Sequence, residues 1–201
     1  VSKLQETRIG LFGGTFDPVH NGHISIAQSF LSSSYIDELW ILLTPFPPHK
    51  DQEKPTSYSD RLHLLSLAFN DMDGVIISTI ENELKKPSYT YRTIQTLKQK
   101  HPGKAFYFCM GEDSLSAFSS WKNYKLILNE VELLVAERPG ADHSMVDKAI
   151  LDRAHFVTHQ PLDISSSQVR KFVLKEKPIS DLVPQSVSTY ILNQNMYKSL
   201  K

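Results

Sequence analysis

Residues 13–23 read Gly-Gly-Thr-Phe-Asp-Pro-Val-His-Asn-Gly-His, and they hold the residue types best suited to chemistry. His20 and His23 are three apart, so at a helix start both imidazoles can face one pocket. Gly13 and Gly14 have no Cβ and let the main chain approach a ligand closely. Residues 8–12 before them read as a short apolar strand. Ile24, Ala27, Phe30 and Leu31 after them recur at helical spacing. A strand, a glycine-rich turn and a helix start make an anion site, because free backbone N–H groups and the positive helix end converge there. The spacing is neither the dinucleotide Gly-x-Gly-x-x-Gly pattern nor a Gly-Lys-Ser/Thr phosphate loop. A zinc site from His20, His23 and Asp17 lacks any His-Glu-x-x-His pattern and is not expected.

The elements that must position this loop alternate along the chain. Further strands are expected at 39–43, 75–80, 105–110, 132–136 and 155–157. Helices are expected from Ser59 and Asp60, over 90–100, over 124–129, from Ser144, from about 165, and from Pro184 to near Asn193. Arg61 falls near the start of the second helix, and so near the sheet's functional edge. This alternation predicts an α/β fold: a doubly wound, Rossmann-like parallel sheet with helices on both faces and a small helical portion over about 165–201. The whole of 1–201 reads as one domain. Ligands of such sheets bind beyond the carboxyl ends of the strands. Each remaining suspicious cluster follows a strand: the proline-stiffened 45–50 with His49 and Lys50, the Gly111-Glu112-Asp113 turn, and Ile164-Ser165-Ser166-Ser167-Gln168-Val169-Arg170. Read by composition alone, Lys50 is a solvated lysine, the serines are a helix cap and Trp121 is a half-buried packing residue.

Lys+Arg 22 balance Asp+Glu 22, which points away from nucleic acid as the main partner. Cys109 is the single cysteine, so no internal disulfide forms and a reducing, cytoplasmic setting is expected. The polar first residues give no signal segment, and no run nears the ~18 apolar residues of a membrane span. A homo-oligomer is left open.

Taken whole, Gly14-x-Phe16-Asp17-Pro18-x-His20-x-Gly22-His23 resembles the signature of the nucleotidyltransferase superfamily that contains the adenylyltransferases of NAD and coenzyme A synthesis. Pro-Pro-His-Lys at 47–50, Pro-Ser-Tyr-Thr at 87–90, Gly111-x-Asp113, Trp121, Arg138-Pro139-Gly140 and Ile164-Ser165-Ser166-x-x-x-Arg170 follow in order. The set is similar to the bacterial nicotinate-nucleotide adenylyltransferases. That resemblance implies transfer of AMP from ATP to nicotinate mononucleotide, with Mg²⁺ accompanying ATP. It implies catalytic roles for His20, His23, Lys50 and Arg170. It implies ATP contacts at Gly13, Gly14, Thr15, Phe16, Gly111, Asp113, Ile164, Ser166 and Ser167. The acceptor would meet Phe16, Asp17, Lys50, Thr90, Tyr91, Asp113, Trp121, Lys122 and Arg138, with no metal ligand among the side chains. Glu112, Ser114 and Lys122 depart from the family pattern, which has a small residue, an apolar residue and often an aromatic residue there. Competing readings are an enzyme using nicotinamide mononucleotide, a cytidylyltransferase or phosphopantetheine adenylyltransferase, a nucleotide sensor without catalysis, and a metal-dependent hydrolase.

Overall fold

The computed structural model describes residues 6–45 and 55–198. Six parallel strands form one sheet among them: β1 (Thr7–Gly14), β2 (Glu38–Leu43), β3 (Val75–Ser78), β4 (Lys104–Gly111), β5 (Glu132–Glu137) and β6 (Ala154–Thr158). Their order is β3-β2-β1-β4-β5-β6, so the connectivity reverses direction between β1 and β4. The register sets Phe12 beside Cys109 and Gly14 beside Leu43, bringing the ends of β1, β2 and β4 together at one edge. This is the expected α/β fold.

Helices cover both faces because both faces of each inner strand are apolar. Phe12, Leu39, Ile41, Leu43, Cys109 and Leu134 point to one layer, shared with α1 (Asn21–Leu31), α2 (Tyr58–Phe69), α8 (Ser166–Leu174) and α9 (Gln185–Asn193). Ile9, Leu11, Trp40, Leu42, Phe108 and Val135 point to the other. There they meet α4 (Thr90–Lys100), α5 (Glu112–Ser116), α6 (Tyr124–Glu130) and the short α7 (Lys148–Leu151). The brief α3 (Ile80–Glu83) follows β3.

Several boundaries differ from the sequence reading for local physical reasons. Gly13 and Gly14 are the last residues of β1, paired with Leu42 and Leu43, and not part of the turn. The third strand stops at Ser78, and Ile80 buries itself by starting α3. The turn expected at 111–114 is instead the start of α5, with Gly111 as its N-cap and Glu112 and Asp113 in its first turn, where carboxylates favour a helix. No helix begins at Ser144, whose N–H is taken by the Asp142 carboxylate; Asp147 caps α7 through the Ala149 amide instead. The second helix is capped one turn earlier than expected, by Ser57 accepting from the Asp60 amide.

Phe30, on α1, is fully buried and stacks edge-on to Phe12 of β1 at 5.8 Å. Phe30→Ala is expected to lower unfolding free energy by ~3–5 kcal/mol, read by urea denaturation, since that site cannot collapse around the void.

Candidate active site

β1 runs straight into the loop that carries the two histidines, and that loop is tightly constrained. Phe16 adopts a positive φ of 48° although it carries a Cβ. Its buried ring meets Phe12 edge-on at 5.8 Å and His23 edge-on at 4.9 Å. A Cβ on Gly14 would lie 2.8 Å from that ring, so only glycine fits there.

His20 is the N-cap residue of α1, and its backbone N–H donates to His23 Nδ1 at 3.2 Å. A neutral His23 must therefore carry its proton on Nε2. The two rings lie 3.7 Å apart between centroids, tilted by 31°. Gly22, between them, is also closely approached: a Cβ would sit 3.0 Å from His20 Nδ1, so the ring would have to give by a few tenths of an ångström. Burial lowers the pKa of His20 to about 4. Burial, and then the charge of His20, hold His23 well below the ordinary histidine value. Both rings are neutral N–H donors at neutral pH. His20 Nδ1 is buried and meets no hydrogen-bond partner among the described residues.

The start of α8 is fastened to this loop. Ser165 caps α8 by accepting from the Gln168 amide, and Gln168 Oε1 accepts from the Ser165 amide. Ser166 Oγ donates to the Pro18 carbonyl at 2.8 Å, and Arg170 donates to the Asp17 carbonyl at 2.8 Å. Ser167 stands exposed, with Arg170 also 3.4 Å from its hydroxyl. Ile164 is partly buried against the α1 layer, and its carbonyl lies 3.7 Å from where a Gly22 Cβ would be. His20, His23, Gly14, Thr15, Phe16, Ile164, Ser166, Ser167 and Arg170 thus belong to one neighbourhood.

Asp17, expected to meet the acceptor, is held within the protein. Its carboxylate accepts from the Thr56 amide at 3.0 Å and from the Tyr197 hydroxyl at 2.8 Å, and only 7% of the residue is exposed. Asp113 and Arg138, both at strand ends, form an exposed ion pair at 2.7 Å. Next to Asp113, the departing residue Glu112 lies 2.7 Å from His143 Nε2, tying the start of α5 to the loop after β5. Lys50 lies outside the described residues, as does the 47–50 motif.

The acceptor-side candidates gather on the other face. Thr90 opens α4, whose N-cap residue Tyr89 supplies no side-chain acceptor to the first-turn amides. Tyr91 and Trp121 pack against the same apolar layer. The indole meets Phe108 at 5.7 Å and Phe118 at 5.5 Å, and the Tyr91 hydroxyl accepts from Arg92 Nε at 3.0 Å. Lys122 is exposed beside the left-handed Asn123.

Residues 11–172 match a family model described as cytidylyltransferase-like. A probable nicotinate-nucleotide adenylyltransferase of Halalkalibacterium halodurans is 36% identical over 193 residues, covering 96% of this chain and 92% of the relative. The nicotinate-nucleotide adenylyltransferase of Bacillus subtilis is 32% identical over 192 residues, covering 96% and 99%. The chain belongs to the nicotinate-nucleotide adenylyltransferase family. A solved Plasmodium falciparum nicotinic acid mononucleotide adenylyltransferase, complexed with NaAD, superposes with a TM-score of 0.78 at 25% identity, covering 97% of this chain and all of that one. Membership of this nucleotidyltransferase family makes the strand-end cluster the candidate active site.

Two residues beside that cluster have contacts that the sequence did not show. Arg61 is expected near the sheet's functional edge, and the structure adds that it is only 1% exposed. Tyr197 reaches Asp17 across 180 residues, a pairing with no local signal.

The lowered histidine pKa has a consequence for stability. The unfolded chain binds a proton at His20 below about pH 6.5, whereas the folded chain does so only near 4, so stability falls as pH drops through that window. His20→Asn, lacking the titrating ring, is expected to flatten this part of the stability–pH curve, measured by denaturant melts from pH 7.5 to 4.5.

Proposed function

We propose that the chain transfers AMP from ATP to nicotinate mononucleotide, giving deamido-NAD (nicotinate adenine dinucleotide) and pyrophosphate. The observation that carries this reading is the pair of neutral imidazoles at the start of α1, His20 buried and His23 partly so, fastened to an α8 start rich in hydroxyl and guanidinium donors. Such a set suits a triphosphate. It contains no nucleophile with a base beside it, and the reaction needs none.

The acceptor's phosphate oxygen is already anionic at neutral pH. It attacks the α-phosphorus in line; the new O–P bond forms as the bond to the β-phosphate oxygen breaks, and the electron pair leaves with pyrophosphate. Neutral His20 and His23 would donate N–H groups to oxygens that gain charge in that step, with no proton to lose first. The amides of Gly14 and Thr15, with Ser167 and Arg170, would hold the β- and γ-phosphates. Ser166 would contribute chiefly through its place at the start of α8, since its hydroxyl is already given to Pro18.

On the acceptor side, the α4 amides near Thr90 and those after Trp121 would read the pyridine carboxylate, with the indole against the ring. A neutral amide would turn its NH₂ toward those donors and leave them unpaired. Tyr91 would help by packing, Lys122 by attraction, and Asp113 with Arg138 at the ribose side. Lys50 keeps its proposed role over the phosphates.

Mg²⁺ would accompany ATP. Among the described residues no group of three or more His, Cys, Asp or Glu side chains could hold a metal ion. The N–H groups around His20 suit phosphate oxygens, and Mg²⁺ would be held chiefly by phosphate oxygens and water. No helix among them is long and apolar enough to cross a membrane.

Pyrophosphate release from ATP is expected with nicotinate mononucleotide and to be much slower with nicotinamide mononucleotide. Equal use would discard the carboxylate-reading role of Thr90 and Trp121, and release with neither would end the transfer reading. His23→Ala is expected to lower kcat by about 10²-fold while changing the KM for ATP far less. A purely structural His23 would show no such split.

A further inference from the structure

Arg61 has no part in the chemistry just described, yet it is among the largest fully buried side chains of the protein. A guanidinium carries five N–H donors. Nε donates to the Thr56 carbonyl at 2.9 Å, one terminal nitrogen donates to Thr15 at 2.8 Å and Thr44 at 2.9 Å, and the other donates to Pro45 at 3.3 Å. All these acceptors are backbone carbonyls on three different segments. Thr15 lies in the loop after β1, Thr44 and Pro45 follow β2, and Thr56 precedes α2.

The charge is answered locally. Burial lowers the pKa of Arg61, and Asp17 is the strongest opposing influence, followed by the Tyr58 and Tyr197 hydroxyls. Asp17 itself binds Thr56 and Tyr197, and its carbonyl accepts from Arg170. The Thr44 amide donates to the Gly14 carbonyl at 2.9 Å, so the same contacts join the end of β1 to the chain after β2. A planar fork reaching four carbonyls sets main-chain positions directly, which a lysine, a single rotatable ammonium, cannot do. One of those positions, Thr15, is five residues before His20. Others bracket the stretch of sequence that contains Lys50.

We propose that Arg61 is a positioning residue for the transfer reaction: it holds the histidine loop and the chain on both sides of residues 46–54 in one fixed arrangement. The proposal rests on the adenylyl-transfer reading. It assigns to Arg61 no contact with substrate, and its effect travels through carbonyl positions.

The test compares wild type with Arg61→Lys and Arg61→Gln as full-length chains, after thermal melts identify the temperature at which each is folded. Arg61→Lys is expected to fold and to lose about 10²-fold in kcat, because sub-ångström displacement of donors is costly at the reacting phosphorus. KM for ATP and for nicotinate mononucleotide is expected to stay within about threefold of wild type. Ethylguanidinium is expected to restore turnover several-fold to Arg61→Gln and to leave wild type and His23→Ala unchanged. A folded Arg61→Lys with turnover within about threefold of wild type overturns the proposal. If that variant does not fold, absence of rescue of Arg61→Gln by ethylguanidinium overturns it. An inactive wild type sinks the transfer reading and this proposal together. An active wild type with an unaffected Arg61→Lys sinks this proposal alone.

Discussion

A guanidinium taken out of water must be met by acceptors on every side, or the fold loses more than the burial gains. At Arg61 the acceptors are carbonyls of Thr15, Thr44, Pro45 and Thr56, so desolvation of one side chain binds three segments into a single unit. Asp17 supplies the nearby negative charge and is satisfied in turn by Thr56 and Tyr197. Once these contacts form, the loop after β1 has little freedom left. Phe16 holds its positive φ because its ring is locked among Phe12, His23 and the Cβ-less Gly14.

That rigid loop explains how a chain of zero formal net charge can serve a polyanionic substrate. In the proposed reading the device is not attraction at long range but a cluster of donors whose geometry the fold sets, in surroundings dry enough that His20 and His23 remain neutral. Neutral imidazoles raise no repulsion toward each other at 3.7 Å, where two imidazolium rings could not coexist. Arg170 and the start of α8 add cationic and hydroxyl donors from a helix fastened to the same loop.

On the opposite layer Trp121 packs against Phe108 and Phe118, and that packing is compatible with the ligand-facing role proposed for it. The indole takes its position from apolar neighbours and remains only partly buried. Glu112 is instructive in a different way. A carboxylate stands where the family carries a small residue, with His143 Nε2, in the loop after β5, 2.7 Å away.

The sequence by itself determined the alternation of strands and helices, the parallel sheet, and the family to which the 13–23 motif belongs, because these rest on local periodicity and on motifs contiguous in the chain. It also identified which clusters follow strands and therefore gather at one edge. The start of α7 at Lys148 was settled by the Asp147 cap, and α5 starts at Glu112 with two carboxylates in its first turn, neither of which periodicity registers. Only the tertiary structure decided that Asp17 turns inward, that Ser166 spends its hydroxyl on Pro18, and that Tyr197 closes on the histidine loop. Arg61 is the clearest case: helix position put it near the functional edge, but its burial among carbonyls from three segments was not legible in the sequence. Long-range burial, which no local pattern encodes, made that difference.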